Sequence, residues 1–430
     1  MRPIPPVKGM NDMLPEQAAS WQHVEQAARE LFAGYGYREI RVPVLEDTAL
    51  FKRAIGEHTD IVEKEMFTFA RDEQSLSLRP EATAGIVRAL ISNGLIHNQR
   101  HRVYTLGAMF RGEQPQLGRY RQFHQIDAEA VGFPGPDVDA ELILLVARLW
   151  RRLGITGMAL EINSLGTPDA RREYRAALVS YFSARESELD ADSRRRLAGN
   201  PLRILDSKNP AMAGLIAGAP LLEQYLDPES TEHFAGLKAL LSDAGLSYTV
   251  NPRLVRGLDY YTRTVFEWVT RELGGTQNAV CSGGRYDGLV AQLGGEPTPA
   301  VGWALGIERL VLLMNAQGRA PAERSAHAYL VLSGAAAERA GIALAERLRD
   351  ALPGLRLDTG VGGGSFKAQF RRADKSGAKL ALVLGDGELS DGRVGLKPLR
   401  EEGEQLRLTE AELIERLRPI TREPGSPHQD

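Results

Sequence analysis

The chain has 430 residues, of which 43% are hydrophobic and 25% charged. That is enough apolar surface for about three domains and unlike a disordered chain. Lysine and arginine number 53 against 56 aspartates and glutamates, a net charge of −3, so a uniformly basic nucleic-acid binder is excluded and any phosphate contact must come from a local patch. The single cysteine, Cys281, excludes an internal disulfide and a multi-cysteine zinc site, and fits a reducing compartment.

No apolar run reaches the roughly 20 residues of a membrane-spanning helix. The run from Leu142 stops at Arg148, and Ala211–Leu222 is broken by Gly214, Gly218 and Pro220. The first 17 residues lack an apolar core, so no signal peptide and no membrane partner are expected; the expected setting is cytoplasmic.

In chain order, Pro15 suits a first helical turn, and Trp21, Val24, Ala28, Leu31 and Phe32 recur at helical spacing until Gly34 and Gly36. Arg38–Leu45 reads as a strand whose Pro43 confines it to an edge; a second subunit is one candidate to cover that edge. Ser75–Arg79 reads extended and Glu81–Ser92 helical. Arg102–Arg111 and Arg121–Val131 read as an antiparallel pair across a polar loop. Asp137–Leu153 is a helix with an acidic start and a basic end.

From about Thr167 to Leu246 helical patterns dominate, as in an insertion. Strand-like sequence returns at Tyr248, Val265–Val269 and Ala279–Ser282, and a helix follows over Gly306–Ala316. After a linker at Gln317–Ser325, the alternation of Tyr329–Leu332, Ala335–Leu352, Leu355–Asp358, Phe366–Ser376 and Leu380–Leu384 predicts a separate α/β domain. The tail from Thr421 is expected to fray. The resulting boundaries are 1–166 and 247–320 for one domain, 167–246 for the insertion and 326–420 for the last domain.

Four stretches could carry chemistry. Arg119, Arg121, Phe123, Gln125, Asp127, Glu129 and Val131 share one strand parity, so one sheet face is polar: either a solvated face or a binding floor. Arg111 and Glu113 stand at its loop, and an arginine there can grip a phosphate bidentately. Arg256-Gly257-Leu258-Asp259-Tyr260-Tyr261 is either a structural turn with a buried aromatic pair or a ligand loop. Ser282–Gly288 is either a glycine turn or a place where backbone approaches a ligand closely; it lacks the Lys-Ser/Thr ending of a Walker loop. Arg309, opening an apolar helix after Gly306-Ile307-Glu308, opposes the helix dipole and calls for an anionic partner, a carboxylate or a ligand.

Weaker signals read as structural. Gly362-Gly363-Gly364-Ser365 lacks full dinucleotide spacing. His97 and His101 have a metal-compatible spacing but no third ligand, and Cys281 reads as a packing residue.

Taken together, these stretches resemble the three motifs of class II aminoacyl-tRNA synthetases: Gly36–Leu45 with Pro43, Phe110–Glu113 with Arg119–Phe123, and Gly302–Arg309. Leu254–Tyr261 and Ala279–Asp287 resemble the two signatures of histidyl-tRNA synthetases, with Arg79–Ala84 and Gly118–Gln125 completing the likeness over Pro5 to about Arg418. The resemblance implies an α+β fold, an antiparallel sheet flanked by helices, with a helical insertion and a C-terminal α/β anticodon-binding domain. It implies a homodimer formed through motif 1, and the joining of histidine to tRNA(His) through a histidyl-adenylate, with ATP as substrate and Mg²⁺ bridging its phosphates.

By the same resemblance, Arg256 and Arg111 are the catalytic residues on the α-phosphate, and both also touch histidine. Glu113, Arg119 and Arg309, with Arg111, bind ATP. Glu81, Thr83 and Gln125 hold the amino-acid end of histidine, and Glu129, Tyr260 and Tyr261 its imidazole. No residue is assigned to a metal. Two positions depart from the family pattern: Ala82, where glycine is common, and Gln114, where many bacterial members carry arginine near the tRNA acceptor end. The alternatives are a non-catalytic regulatory relative or a tRNA-sensing module. Retention of Arg111, Arg256 and Arg309 and of the domain after Ser325 speaks against the first, and sensing modules come attached to effector domains, of which the sequence gives no sign. Lys367, Arg371, Arg372, Lys375 and Lys379 form a basic stretch around Asp374, either a solvated helix face or a phosphate contact.

Overall fold

A computed structural model describes residues 3–57, 59–199, 201–205, 207, 209–274, 278–321 and 325–421. The tail expected to fray, beyond Thr421, and part of the expected linker lie outside these residues. The chain folds as two units, Met1–Pro321 and Ala322–Asp430.

The first unit runs α1 (Pro15–Gly34), β1 (Arg38–Glu39), β2 (Leu45–Asp47), α2 (Thr48–Ile55), β3 (Thr68–Arg71), β4 (Gln74–Leu78), α3 (Thr83–Ser92), β5 (His101–Phe110), β6 (Gln122–Val131), α4 (Pro136–Arg152) and β7 (Ala159–Ser164). A helical stretch follows: α5 (Pro168–Ser183), α6 (Ala191–Gly199), α7 (Ala213–Ala217) and α8 (Pro228–Asp243), joined by short 3₁₀ turns. Then come β8 (Thr249–Val250), β9 (Thr262–Val269), β10 (Ala279–Arg285), α9 (Leu289–Gln292), β11 (Ala300–Gly306) and α10 (Ile307–Ala316). No helix among the described residues is long and apolar enough to cross a membrane.

Eight strands form the main sheet in the order β1-β5-β6-β11-β10-β9-β7-β8. Its centre is antiparallel, but the outermost pairs, β1 with β5 and β7 with β8, are parallel, so the sheet is mixed rather than purely antiparallel. β11, whose segment the sequence reading noted within Gly302–Arg309 but not as a strand, lies between β6 and β10 and closes the central ladder. Its segment, Ala-Val-Gly-Trp-Ala-Leu-Gly, carries two glycines and two alanines, a weak strand signal by itself.

The strand expected over Arg38–Leu45 is broken. Arg38–Glu39 pairs with β5, and Ile40 donates its N–H to the Tyr104 carbonyl. Pro43 has no N–H to continue the ladder, and the chain crosses to a separate sheet ordered β2-β4-β3.

The alternation in β6 sorts its residues. Ile126, Ala128 and Ala130 enter a core with α1, α4 and α10, where Phe32 stacks on Tyr104 at 4.2 Å between ring centroids. Gln125, Asp127 and Glu129 face the other way and are buried too, so that face is not a solvated one. Arg121 precedes the strand, and its parity does not carry over. Its N–H donates to the Gly9 carbonyl and its Nε to the Glu113 carbonyl.

Of the glycines in the Ser282–Gly288 stretch, Gly288 lies in the turn before α9, while the other two form no turn. Gly283 and Gly284 lie inside β10, where a Cβ would stand 2.2 Å from the Gly302 carbonyl oxygen and 2.4 Å from that of Thr264. They let three strands pack at close range. Arg285, next in line, is fully buried and is held by Asp139 of α4, Asp287 and the carbonyls of Phe133 and Gly135. Asp139 also bonds His233 of α8 at 2.7 Å, tying the helical stretch to the sheet.

The second unit contains β12 (Ala328–Ser333), α11 (Ala335–Ala351), β13 (Leu357–Thr359), α12 (Phe366–Lys375), β14 (Leu380–Gly385), α13 (Asp386–Ser390), β15 (Val394–Pro398), β16 (Leu406–Leu408) and α14 (Glu410–Thr421). β13, β12 and β14 are parallel, as the βαβαβ alternation predicts. β15 and β16 extend the sheet antiparallel, and both are short strands that the sequence reading passed over. Gln369 pins α12 to β12 by accepting the Leu332 N–H at 2.8 Å. Ser365 caps α12 through the Ala368 N–H, so the preceding glycines lead into an ordinary N-cap. Lys367, Arg371, Arg372, Lys375 and Lys379 are all exposed, while Asp374 pairs with Arg400.

Candidate active site

A cavity opens over the polar face of β6, between α3, the loop after β5, the loop before β9 and the start of α10. Ten sequence-predicted residues line it: Glu81, Thr83, Arg111, Glu113, Arg119, Gln125, Arg256, Tyr260, Tyr261 and Arg309. The eleventh, Glu129, stands directly behind. It accepts a hydrogen bond from the Thr83 hydroxyl at 2.6 Å and another from the Tyr286 hydroxyl.

The floor is acidic. Glu81 precedes α3 and caps it, accepting the N–H groups of Thr83 (2.8 Å) and Ala84 (3.0 Å), so its position follows from helix-end chemistry. Ala82 beside it is fully buried. Glu129 faces Gly302 of β11, where a Cβ would come within 1.6 Å of its Oε2; only glycine leaves it room. Burial pushes the Glu129 carboxyl up to about 8, against hydrogen bonds from Thr83 and Tyr286 that favour the ionised form; the neighbouring Glu81 raises it further. Burial also raises Glu81 and, well above the usual carboxylate range, Asp127, which feels both glutamates.

The opposite end is cationic. Arg256 pairs with Glu267, donates to Ser282 Oγ at 2.8 Å, and lies 5.6 Å from the Tyr261 ring. Arg111 donates from Nε to the Pro80 carbonyl at 2.9 Å and stands over the Phe123 ring, leaving the rest of its guanidinium toward the cavity. Arg119 pairs with Glu113 at 2.8 Å. Burial, and then the neighbouring charge of Arg119, lower the Arg309 guanidinium from its ordinary value, against the opposing charges of Glu113 and Glu267. Tyr260 and Tyr261 form a tilted pair at 4.7 Å, so the Arg256–Tyr261 stretch is both an aromatic pair and a cavity wall. Gln114 is exposed in the loop, away from the lining.

Three contributors escaped the sequence-based site assignment. Tyr286 holds Glu129; Glu308 accepts the His124 N–H at 2.9 Å and lines the cavity; Asp127 lies between Gln125 and Glu129 on the floor. The signal for Asp127 was its parity, and for Tyr286 and Glu308 their place inside motifs already noted. The weak candidates found structural partners. His97 pairs with Glu296, His101 bonds the Leu95 carbonyl, and Cys281 is buried with its thiol pushed up by burial.

A mixed sheet flanked by helices, with an acidic floor meeting four arginines carried by the motif segments, defines a class II aminoacyl-tRNA synthetase. Residues 9–310 match the family model for histidyl-tRNA synthetase and residues 327–419 that for an anticodon binding domain. The chain belongs to the histidyl-tRNA synthetase family of aminoacyl-tRNA ligases. It is 35% identical to the apo histidyl-tRNA synthetase of S. aureus, covering 97% of this chain and 100% of that one at a TM-score of 0.81. The same fold is found in histidyl-tRNA synthetase of Nostoc sp. PCC 7120, at 19% identity, 98% and 100% coverage and TM-score 0.69. It also occurs in a Bacillus halodurans protein described as an ATP phosphoribosyltransferase regulatory subunit/histidyl-tRNA synthetase, at 22% identity, 89% and 99% coverage and TM-score 0.62.

Proposed function

We propose that this chain activates histidine with ATP and transfers it to tRNA(His), with the residues of the cavity in the following roles. The observation that carries the reading is the meeting of two ends in one cleft: a carboxylate and tyrosine end, and an arginine end. The first complements a cationic amino acid with an imidazole ring; the second complements a triphosphate.

Glu81, Thr83 and Gln125 hold the amino-acid end of histidine, and Glu129, Tyr260 and Tyr261 read its ring. A carboxyl near neutral titration is suited to pairing with imidazole, because either partner can carry the proton. Arg119, Arg309 and Glu113 hold ATP. Arg111 and Arg256 orient the histidine carboxylate and the α-phosphate together. The carboxylate oxygen attacks phosphorus in line, pyrophosphate leaves, and the arginines stabilise charge as it builds on the phosphate oxygens. The terminal ribose hydroxyl of tRNA then attacks the adenylate carbonyl, and AMP leaves.

Mg²⁺ fits this donor set as a passenger of the nucleotide. Among the described residues no group of three or more His, Cys, Asp or Glu side chains is arranged to hold an ion, whereas Glu113, paired with Arg119, and Glu308, next to Arg309, both line the cavity. Magnesium commonly uses one or two carboxylates plus phosphates, and supplies charge neutralisation there.

The chain works as a cytoplasmic homodimer, with the helical stretch 167–246 as an inserted module and the exposed cations of α12 toward tRNA. Support for the dimer is the short edge strand β1 and the exposed Val44, Leu45 and Phe69 beside it on the smaller sheet. Sedimentation should therefore give twice the 47.1 kDa chain mass, and Phe69→Glu should shift it toward one. A wild-type monomer at micromolar concentration would remove the dimer from this reading.

The deciding assay is ATP–pyrophosphate exchange with each standard amino acid in turn. Exchange with histidine alone is expected. A folded, ATP-binding protein that exchanges with none of them would favour the regulatory or tRNA-sensing alternative instead.

A further inference from the structure

Strand β6 and its approach outrun their partner. β11 accompanies β6 only as far as Gly306, which stands opposite Gln125, so the N–H groups that precede Gln125 on that side need other acceptors. His124 gives its N–H to the Glu308 carboxylate at 2.9 Å. Arg121 and Gln122 both turn to the Gly9 carbonyl, at 2.7 and 3.3 Å, in a segment that precedes α1.

Gly9 is placed by a turn of its own. Met10 donates its N–H to the Val7 carbonyl at 2.9 Å, and Gly9, the third residue of that turn, has φ +82°. A positive φ at this position of a turn calls for glycine. Gly9 also packs against both limbs of the loop between β5 and β6: a Cβ there would stand 2.8 Å from Pro115 Cγ and 2.9 Å from Arg121 Cγ. A side chain at this position would have to displace the loop.

What is held there is the arginine end of the cavity. The loop brings Arg111, Glu113 and Arg119 to the lining. Arg121 ties its frame together: its carbonyl accepts the Arg111 N–H at 2.9 Å, and its Nε donates to the Glu113 carbonyl at 3.3 Å. From the other side the Glu65 carbonyl accepts the Gly112 N–H at 2.6 Å. A shift of Arg121 therefore passes to Arg111 and Glu113, and through the Glu113 carboxylate to Arg119. Thr83, Gln125 and Tyr261 sit on α3, on the body of β6 and just before β9, beyond this contact.

We propose that the Val7–Met10 turn is a brace for the ATP-holding loop, with Gly9 as its positioning residue, so that it sets affinity for the nucleotide and leaves affinity for histidine to the rest of the cavity. This rests on reading the arginine end as the ATP site. The motif resemblance assigned this segment no role.

The test uses the full-length protein with ATP and L-histidine. Gly9→Ala should raise the KM for ATP in pyrophosphate exchange roughly tenfold, the size expected when a Cβ is forced into left-handed backbone against a packed neighbour, and leave the KM for histidine unchanged. Adding Pro115→Ala removes one of the two obstructing atoms and should restore part of the ATP affinity; a loss through stability alone would not be restored at that position. Met10→Pro, which takes away the N–H closing the turn and puts no Cβ on residue 9, should shift the ATP value in the same direction, and it stands in if Gly9→Ala does not fold. Equal weakening of both substrates, or an unchanged KM for both, would overturn the proposal. Folded wild-type protein that binds no ATP would overturn the ATP reading itself, and this inference with it.

Discussion

Arg256→Ala should lower histidine-dependent ATP–pyrophosphate exchange by about 10²–10³-fold, corresponding to roughly 3–4 kcal/mol of transition-state stabilisation. The expectation comes from where the guanidinium is held. Glu267 grips it from one side and Ser282 from another, with the Tyr261 ring alongside, so it is fixed in orientation before any ligand arrives. A charge that needs no reorganisation is worth most when charge develops next to it. Arg256→Lys should recover little, because an ammonium cannot reproduce the planar fork that reaches Glu267, Ser282 and a ligand together. Histidine binding should weaken less than kcat falls. The measurement is steady-state exchange on protein whose thermal unfolding matches wild type. Near-normal exchange would remove Arg256 from the chemistry.

The second large effect concerns stability. Arg285→Met should destabilise the first unit by about 3–5 kcal/mol, the range for removing one partner of a buried ion pair. Arg285 and Asp139 are both fully buried, and the guanidinium also serves two carbonyls and Asp287. Its loss leaves Asp139 facing only His233, and leaves the Phe133 and Gly135 carbonyls without this donor. Denaturant titration of the variant should show a lower midpoint with unchanged slope. Replacing both members of the pair, as Arg285→Met with Asp139→Leu, should recover part of the loss, since the uncompensated charge is then gone. A midpoint equal to wild type for Arg285→Met would mean that the network contributes no net stability.

These two arginines sit in similar-looking signature segments, and their surroundings separate them. Arg256 is partly open to the cavity, whereas Arg285 is sealed between β10, α4 and the turn after β6. Arg256 pairs with Glu267 and keeps part of its surface toward the cavity, whereas Arg285 is enclosed by Asp139, Asp287 and two carbonyls. Reading either segment as a string of residue types could not make that distinction.

Much was nonetheless legible. Pro15 marks a helix start because a missing N–H costs nothing there, and the acidic start at Asp137 marks another to within a residue. The alternation of β6 put Gln125 and Glu129 on one face, since successive strand side chains point to opposite sides. Motif segments distant in sequence resembled one family, which the family model and the S. aureus structure bear out. The errors have specific causes. Parity was extended to Arg121, one residue beyond the paired strand. The glycines at 283 and 284 were read for turns or ligands, because the two strands that crowd them, β9 and β11, come from elsewhere in the chain.

What the sequence determined by itself was therefore periodic and local: helix limits, the facing of strands, the charge balance, and the residue types that any site could recruit. These depend on neighbours a few positions away. What only the tertiary structure decided was which polar groups satisfy one another. Tyr286 reaches Glu129 from 157 positions away in sequence and Arg285 reaches Asp139 from 146, while neither Asp127 oxygen finds a hydrogen-bond partner among the described residues. Hydrogen bonds act over about 3 Å and give no periodic trace in the sequence, so a carboxylate that finds partners and one that does not read alike until the chain has folded.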